Sequence, residues 1–162
     1  MNKADLTFIL QEGEGYRIEF KESLSGLDRE MVAFANASGG KIFVGVADDK
    51  IIKGVHITNV LKSQIQDIAN NCQPPVRLTF DSLDNVLIVE VREGEDKPYK
   101  CSAGFFTRVG PNAQKLDRDE IVAFIKSEGK VQFDEMVSRK FDPRAHFSKD
   151  KLARFLNLAG IS

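Results

Sequence analysis

The feature that most constrains the fold is a helical pattern that stops at two glycines and passes at once into an apolar run, LDREMVAFANASGGKIFVGVADD. Apolar residues recur at helical spacing up to Ala35, and Gly39-Gly40 end the pattern. We expect Ser25 to cap this helix. The run KIFVGV is rich in β-forming residues, as in a central strand that is buried on both faces. The predicted fold therefore centres on a helix beside an interior strand.

The neighbouring segments extend this strand into a sheet. YRIEFK is predicted to be a strand, and KIIKGV a short hairpin partner of the central strand. Thr58 to Cys72 carries an amphipathic stripe that Pro74-Pro75 ends, so a second helix is expected there. VRLTF and NVLIVEVRE bracket Asp84-Asn85 as a hairpin, and GFFTRVG is predicted to be a further strand.

The last part of this domain is a third helix, RDEIVAFIKS, for which Asp117 and Glu120 form a capping box. The domain is then expected to end near Lys126. The order of its elements predicts an α/β (α+β) fold, a mixed sheet with helices mainly on one face, over residues 1–126.

Residues 127–162 have a different pattern and are predicted to be a C-terminal helical extension. Two short helical patterns are separated by Asp142-Pro143. Ser148 is placed to cap the second pattern, and Phe147 to pack on Leu152 as a hydrophobic staple. We expect this extension to lead into a further domain downstream, or to dock on the first domain or on a second copy. A homodimer is the favoured arrangement.

Composition excludes several classes of protein. The chain has 162 residues, of which 42% are hydrophobic and 29% charged, as in a globular protein. No apolar run reaches about 18 residues, and the first residues do not form a secretory signal, so we expect no membrane partner and a cytoplasmic location. Cys72 and Cys101 are far apart and only two histidines are present, which predicts reduced thiols and no zinc site. With a formal net charge of −1, any nucleic-acid contact requires a local basic patch.

The stretch EGEGYRIEFKES carries the most informative polar residues. In a strand, Ile18 and Phe20 would enter the core while Glu19 and Lys21 share the other side. That side is either a solvated sheet face or the floor of a polar site.

Acids cluster near the ends of two strands that are expected to be neighbours. Glu14 and Glu19 belong to the first, and Asp48 and Asp49 follow the second. Carboxylates brought together repel unless a cation neutralises them, so this cluster predicts a Mg²⁺ or Mn²⁺ site beside which Lys21 could hold a phosphate. The alternative is that ADDK is a polar turn and the glutamates are surface residues.

A second candidate surface mixes basic and aromatic residues. Lys97, Lys100 and Arg108 flank the aromatic side chains of KPYK and GFFTR, a combination that can bind a nucleic-acid strand by charge and stacking. The alternative is a charged loop between core aromatics, and the acids of the loop EGED favour it.

The motifs EFKES, MVAFANASGGKIFVGVADD, PPV, GFFTRVGPNAQ and EIVAFI, in this order, resemble the Schlafen AlbA-type domain, also described as a DNA-binding or divergent AAA-associated domain. The resemblance covers nearly all of residues 10–126. It implies an Alba-like mixed sheet and, in prokaryotic relatives, a place at the N-terminus of transcriptional regulators whose later, ATP-binding part would lie downstream of this chain. ATP is expected only there.

In eukaryotic Schlafens the related module is an RNA endonuclease that uses three acids and a divalent metal. By position, the resemblance implies Glu14, Glu19 and Asp48 as catalytic and metal-binding residues, with Asp49 as second choice. It implies DNA or RNA as partner, with Lys21, Lys97, Lys100 and Arg108 as the nucleic-acid contacts. Three functions remain open: a nucleic-acid-binding regulatory module, a metal-dependent endoribonuclease, and a dimerisation or docking domain. We favour the first, and no enzymatic activity for this chain alone.

Overall fold

A computed structural model describes residues 2–128 and 148–160 of the chain. Its helices are α1 (Lys3–Glu12), α2 (Leu27–Asn36), α3 (Asn59–Asn70), α4 (Arg118–Ser127) and α5 (Lys149–Leu158). Its strands are β1 (Ile18–Lys21), β2 (Gly40–Val44), β3 (Leu78–Leu83), β4 (Val86–Val91), β5 (Lys100–Cys101), β6 (Gly104–Val109) and β7 (Asn112–Lys115).

Two sheets organise the described part of the first domain. A four-stranded sheet has the order β1-β2-β4-β3, in which β1 and β2 are parallel and the other pairs antiparallel. The small sheet β5-β6-β7 is antiparallel throughout. The predicted mixed α/β fold is therefore confirmed, and the apolar run of β2 is an interior strand.

Both faces of the four-stranded sheet are covered. On one face, Ile42 and Val44 of β2 share a core cluster with residues of α2 and α3, and strands β5 and β6 lie against α2. On the other face, Leu6 of α1 joins a smaller cluster with Phe20 and Phe43. Neighbouring residues of β2 alternate between the two clusters, as the two-residue period of a strand requires. Burial on both faces explains why β2 needs an almost wholly apolar sequence.

Several local predictions are confirmed. The amphipathic helix expected between Thr58 and Cys72 is α3, and the predicted capping box of Asp117 and Glu120 begins α4. Asp84 has a φ of 50°, the left-handed conformation that the β3–β4 turn requires. Ser148 caps α5.

Two local predictions are wrong. The cap of α2 is Gly26 rather than Ser25, because the chain enters the helix through a left-handed residue (φ 70°) that favours glycine. KIIKGV does not form a strand and contributes only a bridge between Val46 and Ile52. A turn at Asp49 takes the place of the expected strand pairing. The side chain of Asp49 accepts a hydrogen bond from the amide of Ile51 in this turn.

The sequence analysis also missed three elements. One is α1, which Asn2 and Asp5 begin with a capping box. The others are β5, for which no strand was predicted, and β7, which pairs with β6 from Val109 to Phe106. The apolar residues of α1 do not form a clear helical stripe, and both strands are short and largely polar, so hydrophobic periodicity did not mark these elements.

The chain divides into two compact units, Met1–Lys130 and Val131–Ser162. Of the second unit the structure describes α5 and its caps, where Phe155 is 65% exposed. The predicted staple of Phe147 and the break at Asp142-Pro143 lie outside the described residues. Among the described residues, no helix combines the length and apolarity needed to cross a membrane.

Candidate functional site

Strand β1 directs its apolar and charged residues to opposite faces of the sheet. Phe20 enters the smaller core against Phe43, with the ring centroids 6.0 Å apart. Glu19 and Lys21 alternate with it and face α2 and β6. Glu19 is only 5% exposed, so this side of β1 is an enclosed polar site rather than a solvated sheet face.

Arg108 of β6 lies at the centre of this site. Its Nη1 donates to Glu19 Oε2 at 2.9 Å and to Glu30 Oε2 at 2.8 Å. Its Nη2 donates to the carbonyl oxygens of Gly15 at 2.8 Å and Pro111 at 2.7 Å. The side chain has no exposed surface. Arg108 therefore joins the loop before β1, strand β1, helix α2 and the β6–β7 turn.

The guanidinium of Arg108 also lies over an aromatic ring. Its Cζ is 4.5 Å from the ring centroid of Phe34, a cation–π contact. Nε of Arg108 has no hydrogen-bond partner among the described residues. The charge of Arg108 is thus balanced by two carboxylates and an aromatic face, all supplied by the protein.

Lys21 completes the charge balance from the more open side. Its Nζ lies 3.0 Å from Glu19 Oε1 and 3.6 Å from Glu30 Oε1, and its side chain is 24% exposed. Both oxygens of Glu19 are therefore engaged, one by Lys21 and one by Arg108. We call Arg108, Glu19, Glu30 and Lys21 the Arg108 network.

The pKa shifts follow from burial and from the excess of acids. Burial raises the pKa of Glu30, and the negative charge of Glu19 raises it further, against the opposing effects of Lys21 and Arg108. Burial alone would lower the pKa of Lys21, but its hydrogen bond and charge attraction to Glu19, with Glu30 and Glu14, raise it on balance. The cation form of Lys21 is thus favoured.

Glu14 and Asp48 lie at the edge of the same site. Oε1 of Glu14 accepts a hydrogen bond from the amide of Phe20 at 3.2 Å. Burial raises the pKa of Glu14, and the charges of Glu19 and Asp48 add to the effect. Glu14 is thus in electrostatic reach of both other predicted acids, Glu19 and Asp48. Among the described residues, however, no group of three or more acid, cysteine or histidine side chains is arranged to hold a metal. The metal site stays a prediction.

The four predicted nucleic-acid contacts differ in their surroundings. Arg108 is enclosed, and Lys97 is 8% exposed with its Nζ 2.7 Å from Glu93 Oε1. Lys21 is partly open and belongs to the Arg108 network. Lys100 is exposed on β5. Within the residues that the structure describes, its side chain has no ion pair.

Sequence reasoning missed two residues that organise this region. Glu30 was one charge among several on a helix, and only the fold brings it to Arg108. Asn36 is buried at the end of α2, where its Nδ2 donates to the carbonyls of Tyr99 and Phe106 at 2.8 Å each. Its Oδ1 accepts from the amide of Tyr99 at 2.6 Å. The only signal was a polar residue inside an apolar helical stretch, FANAS, where a buried asparagine needs partners.

A protein-family model described as Schlafen, AlbA_2 matches residues 14–117. The chain belongs to this family. The matched segment begins at Glu14 and ends at the cap of α4, so it contains the whole Arg108 network. No curated protein sequence matches the chain significantly. The Schlafen AlbA_2 family is consistent with a nucleic-acid-related regulatory module.

One solved structure that resembles this Schlafen AlbA_2 chain is the crystal structure of the DIP2311 protein from Corynebacterium diphtheriae. The two chains are 16% identical with a TM-score of 0.56, and the match covers 95% of this chain. This likeness supports the fold alone. The present chain spans only 37% of the length of that neighbour.

Proposed function

We propose that this Schlafen AlbA_2 domain is a nucleic-acid-binding regulatory module and that its acidic motif has a structural role. The single observation that carries the proposal is the engagement of both oxygens of Glu19, by Lys21 at 3.0 Å and by Arg108 at 2.9 Å. A carboxylate held in this way is neutralised inside the protein and is a poor ligand for a hard metal ion. Family membership supports nucleic acid as the partner.

The proposal assigns different roles to the four basic residues. Arg108 and Lys97 act inside the domain, because each is buried against a carboxylate. Lys100 is the principal phosphate contact, because it is exposed on β5. Lys21 adds a weaker contact through its open side. So few contacts on a mildly acidic domain predict weak binding with little sequence preference.

We expect Lys100→Ala to weaken binding to a fluorescent DNA duplex and to make its salt dependence shallower. Each phosphate neutralised contributes a slope of about −0.9 in log affinity against log salt, so the slope should become less negative by about 0.9. Fluorescence anisotropy titrations at several salt concentrations measure both quantities.

Lys3→Ala is the matched control for Lys100→Ala. Lys3 lies on α1, which covers the opposite face of the sheet, and its Nζ pairs with Asp84 at 3.0 Å on the surface. The Lys3→Ala variant removes the same charge as Lys100→Ala, but from a face that is not proposed to bind nucleic acid. It should therefore leave the salt slope unchanged. Equal weakening by both variants would show that β5 is not the binding surface, and absence of binding at low salt would overturn the proposed function.

A metal-dependent endoribonuclease is the second candidate function. The observation in its favour is the raised pKa of Glu14, caused by burial and by the charges of Glu19 and Asp48. Acids that repel in this way gain from a Mg²⁺ or Mn²⁺ ion, which would activate water and offset charge on the scissile phosphate. Glu14, Glu19 and Asp48 would hold the metal, and Lys21 the RNA backbone.

Asp48→Asn tests this candidate better than a change at Glu19, because Asp48 is exposed and has no ion pair among the described residues. If the candidate is right, cleavage of a structured RNA in Mn²⁺ should fall at least about 100-fold with the fold unchanged, since a carboxylate ligand is lost. Asp67→Asn, an exposed acid on α3, is the control. Equal cleavage by the wild type and the Asp48 variant would identify a contaminating nuclease.

The cellular location, the place of ATP binding and the oligomeric state are parts of the same proposal. We propose that the chain works in the cytoplasm as the nucleic-acid-binding part of a transcriptional regulator, with ATP bound only by a downstream domain. A homodimer is proposed as its oligomeric state. A role in dimerisation or docking alone is the outcome if no nucleic acid binds.

A further inference from the structure

Both cysteines of the chain line one surface cavity. The cavity has a volume of about 310 Å³ and lies between the start of α2, the end of α3 and strand β5. Leu24, Asp28 and Ile68 form other parts of its wall. Neither cysteine belongs to the Arg108 network or to the proposed phosphate contacts. Cys72 is 2% and Cys101 7% exposed, and the cavity is large enough to hold a small molecule beside them.

The backbone places the two cysteines opposite each other. Gln73 and Lys100 form an antiparallel bridge in which each amide donates to the other carbonyl at 2.8 Å. In antiparallel strands the next opposite pair is not hydrogen bonded, has Cα atoms about 4.5 Å apart, and directs its side chains to the same side. Cys72 precedes Gln73 and Cys101 follows Lys100, so they flank this isolated bridge on the same side, at the position of the next pair. The two thiols are near enough for the charge of Cys101 to raise the pKa of Cys72.

This register is suitable for a disulfide. A disulfide requires Cα atoms about 4.4–6.8 Å apart, and the next pair of an antiparallel bridge falls in this range. Both thiols are free, and the carboxylate of Asp28 faces them, with a hydrogen bond to Cys101. Cys72 Sγ lies 3.4 Å from the carbonyl of Ile68, and Cys101 Sγ lies 3.6 Å from that of Gly104.

We propose that Cys72 and Cys101 are a reversible redox pair that a small peroxide converts to an intramolecular disulfide. One thiolate attacks a peroxide oxygen, the O–O bond breaks, and a sulfenic acid and water are formed. The second thiol then attacks the sulfenic sulfur, the S–S bond forms, and a second water leaves. The two sulfurs lose two electrons in total, and hydrogen peroxide is reduced to two waters. A dithiol restores the pair by exchange.

Burial of the two thiols makes this oxidation slow at neutral pH. Burial raises the pKa of Cys72 to about 12, with smaller contributions from Cys101 and Asp28. Burial also raises the pKa of Cys101, and the charge and hydrogen bond of Asp28 add to this effect, against the backbone hydrogen bonds of Ala103 and Gly104. Because the thiolate is the nucleophile, the rate should rise about tenfold per pH unit well beyond pH 8.5, where an ordinary exposed thiol approaches its maximum. The pair would therefore respond to sustained rather than brief exposure to peroxide.

The test uses the full chain treated with hydrogen peroxide and then denatured. We expect intact-mass spectrometry to show the loss of two hydrogen atoms per molecule, and thiol titration to fall from two to zero. Dithiothreitol should restore both. The crosslink closes the segment that contains the β3–β4 hairpin, so the melting temperature of the oxidised protein should rise by at least about 5 °C.

Cys72→Ser and Cys101→Ser are matched controls that each leave one thiol. Neither variant can lose two hydrogens within one molecule. Peroxide should therefore not raise the melting temperature of either variant. The proposal is overturned if the wild type keeps both thiols after prolonged oxidation at high pH. It is also overturned if the wild type gains oxygen atoms on each sulfur, or crosslinks only between molecules.

Discussion

Replacing Arg108 by methionine is expected to lower the free energy of unfolding by about 3–5 kcal/mol. The change leaves Glu19 and Glu30 enclosed in the protein with only Lys21 to neutralise them, and removing one partner of a buried ion pair costs this much. Methionine fills much of the space, so the loss reports charge rather than cavity volume. Urea unfolding followed by circular dichroism measures it.

The pH dependence separates lost charge from lost packing. Without Arg108 the pKa of Glu30, already raised by burial and by Glu19, rises further in the folded variant. The folded state then binds more protons than the unfolded state, so stability falls as pH rises from the unfolded pKa through the folded one. The difference between Arg108→Met and wild type should therefore be smaller near about pH 5 than near about pH 8.

Arg118→Met is the matched control for Arg108→Met. Arg118 pairs with Asp119 at 3.2 Å, but both side chains are almost fully exposed. Exposed pairs contribute about 0–1 kcal/mol, so this variant should unfold like the wild type. A loss for Arg108→Met below about 1 kcal/mol, or one that does not change with pH, would mean that the Arg108 network does not hold the domain together.

Replacing Asn36 by alanine is expected to cost at least about 3 kcal/mol, because three backbone groups lose their partners. The Asn36 side chain donates to two carbonyls and accepts from one amide, all in the interior. Each buried polar group left unsatisfied costs about 1–3 kcal/mol. The bonds tie the end of α2 to the approach to β5 and to β6, so the small sheet should loosen first, and hydrogen exchange would detect this at Tyr99.

Two further variants test the Asn36 assignment. Asn36→Asp keeps the acceptor oxygen but replaces both donors by a negative charge beside two carbonyls, so it should be no more stable than Asn36→Ala. Asn59→Ala, at the exposed first residue of α3, should have little effect. If Asn36→Ala unfolds like Asn59→Ala, water satisfies these groups and the network does not hold the small sheet.

The sequence alone determined the elements whose signals are local. The interior strand β2 follows from an apolar run, α3 follows from periodicity, and α4 follows from periodicity and from its cap Asp117. Capping joins residues about three positions apart, so the sequence carries it directly. The family could also be recognised from the sequence, because its motifs are contiguous. The family-model match over residues 14–117 confirms this assignment. The prediction failed for β5 and β7, which are short and largely polar, and for α1, whose apolar residues do not form a clear helical stripe.

Only the tertiary structure decided what the charged residues of β1 do. The alternation of Ile18 and Phe20 with Glu19 and Lys21 predicted two faces but not whether the polar face is wet or enclosed. The answer depends on Arg108, which lies 89 positions from Glu19. A charge buried among aromatic and apolar residues looks the same in sequence as a charge on a surface strand. Its cost and its partners exist only once the chain has brought β6 against α2 and β1.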